Sequence, residues 1–345
     1  MLLYALTLSL GLDNARLDIS DANWGSMAPC PPKGEARTKA IKDRHCDYHP
    51  ARFQFNGSGW IPCRVKRKGT ASWRDMGEKP SFKLKDLDNG IDFGTWTSDR
   101  VTLNNMVQGT GAPAAYAVYR KVGVVAPQSR HVELTLYRNA TRVRTDVYNL
   151  LETIDDAAFL QKHFGDSAVL WEVDNGEVKH ERGDDALGPL TVANLTLETL
   201  DPSFPAFLAA TEAVTHRDSI PYIDTNAYIA WTGSKFAVIP SGADQTFGCR
   251  NTLSTPSWVC AIVPSAHEHY YNCRADPEWR LPAAVACLGY PPCRLDYDRA
   301  LAATGIVPTA CAGWPPAVFV LLLAAAIGFA AILLWKASAM ANTSA

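Results

Sequence analysis

Period-two alternation dominates the first hundred residues. In ARLDIS (15–20) and ARFQFNG (51–57) apolar and polar positions alternate as in half-buried strands. PCRVKRKG (62–69) predicts a strand running into a glycine turn. SFKLKDLD (81–88) sets Phe82 and Leu84 on one face and Lys83 and Lys85 on the other. DLDNGIDFG (86–94) predicts a turn. Apolar positions at Met106, Val107, Ala114, Tyr116, Ala117, Val118 and Tyr119 then predict a helix that Gly123 stops. VELTLYRN (132–139) and VRTDVYNLLE (143–152) predict a strand pair turning near Asn139. IDDAAFLQKHFG (154–165) predicts a helix with Asp155 near its start, and a further helix is expected near 196–215. NAYIAWTGSKFAVIP (226–240) predicts a hairpin about Thr-Gly-Ser. The order of elements is that of an α+β chain, without regular β-α alternation.

The pattern changes near the C-terminus. Residues 317–335, AVFVLLLAAAIGFAAILLW, carry no charge, are flanked by Trp314 and Trp335, and precede Lys336. At 1.5 Å per residue this stretch reaches about 28 Å, which predicts a transmembrane helix. Interfacial tryptophans and a following lysine agree with that, the lysine favouring a cytoplasmic C-terminus. Residues 2–12 read either as a signal segment without a basic start or as a first strand.

Nine cysteines fall unevenly, six of them between Cys249 and Cys311. None forms a Cys-x-x-Cys pair or a Cys/His zinc spacing, so a disulfide framework in an oxidising compartment is expected. Cys287 and Cys293 are an expected pair, because Pro291 and Pro292 bend the chain between them. A short repeat, CRADPEWRL (273–281) and CLGYPPCRL (287–295), predicts two helical turns braced by disulfides. Asn56, Asn139 and Asn194 each head a glycosylation sequon. With 33 basic and 35 acidic residues in 345, the charge gives no signal for nucleic acid, which is not expected as a partner.

The chemistry-bearing residues follow an order of their own. Lys83 or Lys85 lies on an early strand, and Glu152 follows a later one. His216-Arg217-Asp218 comes next, then Asn226, and Asp244 precedes Phe247-Gly248 after a strand. Phosphoryl transfer needs a cation on the phosphates, an acid to position it and a carboxylate near the acceptor hydroxyl. It also needs Asn and Asp for Mg²⁺. Protein kinases present these parts in this order, though with closer spacing and a glycine-rich loop that is absent from this sequence.

The stretches RVKRKGTASW (64–73), KPSFKLKD (79–86), RVTLNNMVQG (100–109) and AYAVYRKVGVVAPQSRHVELTLYRN (115–139) carry a resemblance, as do VYNLLETIDDAAFLQKHFGD (147–166), DTNAYIA (224–230) and IPSGADQTFG (239–248). Together they resemble the spore-coat kinase (CotH-like) family of atypical secretory kinases. The resemblance implies an α+β, atypical protein-kinase-like fold over 13–250, after the segment 1–12. A cysteine-rich helical cap over 251–313, a transmembrane helix over 314–336 and a tail over 337–345 complete the expected layout. It implies ATP and Mg²⁺ as cofactors and Ser/Thr of secreted or surface proteins as substrate, with the main domain on the non-cytoplasmic side of a membrane. By that resemblance Lys83 or Lys85 contacts nucleotide phosphate, with Glu152 as ion-pair partner. Asp218, or alternatively Asp224, is the catalytic carboxylate, Asn226 and Asp244 face the metal, and the turn Lys68–Ser72 cradles phosphate. The family's Trp-Asp-x-Asp is Ser241-Gly242-Ala243-Asp244 here. Gly242 replaces one carboxylate, so a non-catalytic surface-binding or adhesion protein stands as the alternative.

Overall fold

The computed structural model describes residues 12–32, 41, 44–69, 72–88, 90–174, 176–184, 187–214, 216, 219–221, 225–246 and 282–306. The alternating segments form strands, but they close on themselves. β1 (Asp13–Ile19), β2 (His49–Phe55), β3 (Ile61–Lys68) and β4 (Ser81–Lys85) pair in sequence. After the short ribbon of β5 (Ile91–Asp92) and β6 (Thr97–Ser98), β7 (Val101–Asn104) joins β4. The hairpin of β8 (Ser129–Arg138) and β9 (Thr141–Glu152) then completes the circuit in the order β1-β2-β3-β4-β7-β9-β8. The closing seam is parallel, with Asp13 opposite Val132 and Ile19 opposite Arg138. Closure removes both sheet edges.

Every second side chain points into this barrel. Ala15, Leu17, Ile19, Phe53, Phe55, Val65, Phe82, Leu84, Val101, Leu103, Val132, Leu134, Tyr148 and Leu150 form one core. Trp24 and Met27, on α1 (Asp21–Met27), join the same core, as do Phe93 and Trp96, stacked at 5.0 Å. Arg67, on β3, is buried too. Its guanidinium donates to the carbonyls of Met27, Ala28, Cys30 and Arg74 and lies 4.0 Å from the Trp73 ring centre. It thereby gathers carbonyls at and just beyond the end of α1, next to the Cys30–Cys46 disulfide.

A second, antiparallel sheet has the order β11-β10-β12-β13. It consists of β10 (Val169–Asp174), β11 (Glu177–Arg182), β12 (Ala227–Trp231) and β13 (Phe236–Pro240). One face, with Val169, Trp171, Ala227, Ile229 and Val238, packs on α2 (Ala112–Lys121) and α4 (Phe204–Ala213). The other face, with Leu170, Tyr228, Ala230 and Ile239, packs on α3 (Ala157–Phe164), capped by Asp156. α5 (Pro282–Gly289) and α6 (Pro291–Thr304) are tied by Cys287–Cys293, the pair expected from the sequence. Ala283, Ala284, Cys287 and Tyr297 share the core of α4, so these helices pack onto the second unit.

The closed seven-stranded barrel overturns the α+β, kinase-like fold expected from the sequence. Alternation marks strands but is silent on which strands pair, and closure rests on the distant β1–β8 pairing. Among the described residues no helix is long and apolar enough to cross a membrane. The segment 317–335 lies outside the described residues, as do residues 1–11, the first copy of the repeat and the remaining late cysteines. The helix expected from Met106 begins only at Ala112. Met106 takes a left-handed φ of 60°, and Asn104 and Asn105 accept from the amides of Met106 and Val107.

Candidate functional site

The outer face of β3–β4 is where charge collects. Cross-strand register sets Arg64 opposite Lys85 and Lys66 opposite Lys83, with Lys68 opposite Ser81. Like charges directly opposite one another destabilise a sheet, so this face needs compensation. Tyr48 supplies part of it, since the ammonium groups of Lys66 and Lys85 each lie 4.5 Å from its ring centre. Burial, and next Asp155, push the Tyr48 phenol up to about 12. Carboxylates supply the rest. Lys83 pairs with Asp155 at 3.6 Å. Asp155 follows β9, and its carbonyl is gripped by Arg182 of β11 at 2.7 Å.

The second sheet contributes Glu172 and Glu181 from β10 and β11. Glu172 accepts from the Tyr228 hydroxyl at 3.2 Å. Burial, then the charges of Glu172 and Asp155, raise the Glu181 carboxyl, and Lys83 opposes them. Asp244 enters from a 3-10 turn (Ala243–Gln245) after β13. It is 9% exposed, and its Oδ2 has no hydrogen-bond partner among the described residues. Burial raises its pKa to about 6, against the charge of Lys68. Lys68 is lowered to about 8, first by burial and then by Lys83, while Asp244, Glu172 and Asp155 act the other way. Lys83 and Asp155 are in contact across the boundary between barrel and second sheet, and the charges of Lys68, Glu172, Glu181 and Asp244 act on one another and on that pair along the same seam.

The sequence-derived residues divide. Lys83 and Asp244 reach the seam. Lys85 is turned to Tyr48. Glu152 does not pair with Lys83. It is buried, accepts from the Gln128 amide at 2.8 Å and has Lys162 at 3.8 Å, while burial raises its pKa. Asn226 stands at a left-handed φ of 51° just before β12, and its carbonyl accepts from Ser219 Oγ and Ser241 N. Its side chain lies against Gly242, where a Cβ would come within 2.5 Å of Oδ1 at a φ of +63°. A side chain at 242 would therefore have to displace Asn226 and hold a left-handed backbone. Asp218 and Asp224 lie outside the described residues. His216 is buried against Tyr119, 3.1 Å from its hydroxyl, and burial lowers it to about 4, so it is a neutral core residue.

Sequence reasoning missed Asp155, Glu172 and Glu181 as site residues and Asn105 as a positioning residue. Buried Asn105 donates to the carbonyls of Ser72 and Lys79, and its amide donates to Ser81 Oγ. It clamps the loop that follows Lys68. The stretch LNNM signalled this, as a buried polar residue must find partners. Gly69, at φ +113°, turns so tightly that a Cβ there would lie 2.6 Å from Ser72 Oγ.

Among the described residues no group of three His, Cys, Asp or Glu is spaced to hold a metal. Asp244 brings one oxygen without a partner among the described residues, and the Asn226 side chain lies against Gly242, two residues before Asp244 in sequence. No model of a known protein family matches the chain, and no curated protein matches it.

Proposed function

We propose that the seam binds ATP with Mg²⁺ and transfers the γ-phosphate to Ser or Thr hydroxyls of secreted or surface proteins. The convergence of lysines from one unit and carboxylates from the other at a single seam carries this reading. Phosphoryl transfer is chiefly positioning and charge neutralisation, and the seam offers both. Lys83, held by Asp155, and Lys68 face the phosphates. Asp244 and Asn226 face the metal, which when bound neutralises charge on the phosphate oxygens. The resemblance assigns the acceptor hydroxyl's proton to Asp218. The disulfides Cys30–Cys46 and Cys287–Cys293 support an oxidising, non-cytoplasmic site of action.

Transfer of radiolabelled phosphate from ATP to secreted proteins, or to the chain itself, tests the proposal. Label that appears with Mg²⁺ and vanishes in Asp244→Asn supports it. One observation favours a second reading: Gly242 stands where the family pattern has a carboxylate, at a left-handed φ of +63° where a Cβ would meet Asn226. A non-catalytic nucleotide-binding surface protein would raise its melting temperature with MgATP and transfer nothing.

A further inference from the structure

We propose that Lys68, and neither Lys83 nor Lys85, makes the direct contact with the ligand's phosphate, and that the seam selects a phosphate carrying its metal over either alone. The inference rests on the nucleotide reading above. The three lysines differ in how they are held. Lys85 is committed to the Tyr48 ring and Lys83 to Asp155. Lys68 stands opposite Ser81, on the same outer face as Lys66 and Lys83, and makes neither a hydrogen bond nor an ion pair among the described residues; the charges of Asp244, Glu172 and Asp155 act on it from a distance. Asp244 likewise leaves Oδ2 without a partner while 9% exposed. Two opposite charges thus stand on different elements, β3 and the turn after β13, without touching.

A ligand of one sign satisfies only one of them. A bare phosphate meets Lys68 but is repelled by Asp244, and a bare divalent cation meets Asp244 but is repelled by Lys68. A metal-bound phosphate presents both signs at once. An ammonium is also a compact point charge, suited to phosphate oxygens. Lys83 is then a positioning residue that holds Asp155. Gly69 and the Asn105 clamp hold the chain beyond Lys68 in place.

The test is acetylation footprinting of the full-length protein with isotopic acetic anhydride at pH 7.5. It is run alone and with Mg²⁺, with tripolyphosphate, with both, and with MgATP. The expected result is that Lys68 acetylates readily in the free protein. Its modification should fall about tenfold or more with MgATP or magnesium tripolyphosphate, and little with either component alone, as a charge-assisted contact implies. Calorimetry is expected to show about tenfold or greater loss of MgATP affinity in Lys68→Met and no more than about threefold in Lys83→Met. If MgATP binds but protects Lys83 or Lys85 while Lys68 stays reactive, the assignment to Lys68 is overturned and the nucleotide reading stands. Equal protection by tripolyphosphate without Mg²⁺ overturns the selection for the metal complex. No protected lysine and no heat of binding overturns both the inference and the nucleotide reading.

Discussion

Arg67 and Lys68 are neighbours on β3, point to opposite sides of the same barrel wall, and are treated in opposite ways. Arg67 goes inward, where four backbone carbonyls and the face of Trp73 receive its guanidinium. Lys68 goes outward, opposite Ser81, and makes no hydrogen bond or ion pair among the described residues, while the charges of Asp244, Glu172 and Asp155 act on it from a distance. Burying a charge is costly unless it is paired and hydrogen-bonded. The first residue meets that condition and the second does not. A buried cation with its partners in place is part of the frame, and one facing unbonded charges of both signs is poised for a ligand. Residue type separates neither case from the other, since both are basic residues in RVKRKG. The partners do.

That contrast can be broken by mutation. Arg67→Met is expected to lose about 3–5 kcal/mol of stability, because it leaves buried carbonyls without donors; urea unfolding measures it. Gly242→Asp is next, at about 2–4 kcal/mol, from the left-handed backbone and the collision with Asn226. A variant as stable as the parent would remove the steric argument. Lys68→Met should go the other way and stabilise the free protein by about 1–2 kcal/mol at pH 7, as loss of a functional, unsatisfied charge does. Destabilisation there would make Lys68 part of the frame like Arg67. Lys83→Met is expected to change stability by less than about 1 kcal/mol, since its pair with Asp155 is partly exposed.

Asp244 adds a pH dependence. Its folded pKa of about 6 lies above the ordinary 3.8, so the protonated carboxyl favours the fold. That contribution is whole below pH 3.8 and is lost as pH rises through about 6. It is worth up to about 3 kcal/mol. Lys68, lowered to about 8, contributes stability above 10.5 that is lost as pH falls through about 8. Between those values both groups are charged, and neither contribution is present. Melting curves from pH 4 to 7 should fall for the parent and flatten for Asp244→Asn. Parallel curves would mean that Asp244 does not titrate in this range.

Much of the local structure was legible in the sequence. The β8–β9 and β12–β13 hairpins follow from alternation interrupted by turn residues, and Cys287–Cys293 follows from the helix break at two prolines, which open α6. The β10–β11 hairpin was missed, although Asp174-Asn175-Gly176 between alternating segments is a turn signal of the same kind. Barrel closure was not legible, because no local pattern records that residue 13 meets residue 132. The site was legible in part for the same reason. Lys83 and Asp244 follow from strand position and motif order. The partner of Lys83 is three residues beyond Glu152, in the turn, and Glu172 and Glu181 come from strands whose pairing brings them to the seam.

The parallel seam also sets an order of events during synthesis. β1 emerges first and can pair with β2 once residue 55 is available. Its other edge has no partner until β8 is made, with residue 138. Through most of that interval the ribosome carries a growing sheet with an open flank, the surface on which strands from separate chains associate. A chain truncated before β8 would keep that flank for good. Of the barrel strands, the earliest made is thus among the last to be fully enclosed, and contacts so distant in sequence slow folding. Protection of the nascent edge by a chaperone is the need this topology creates.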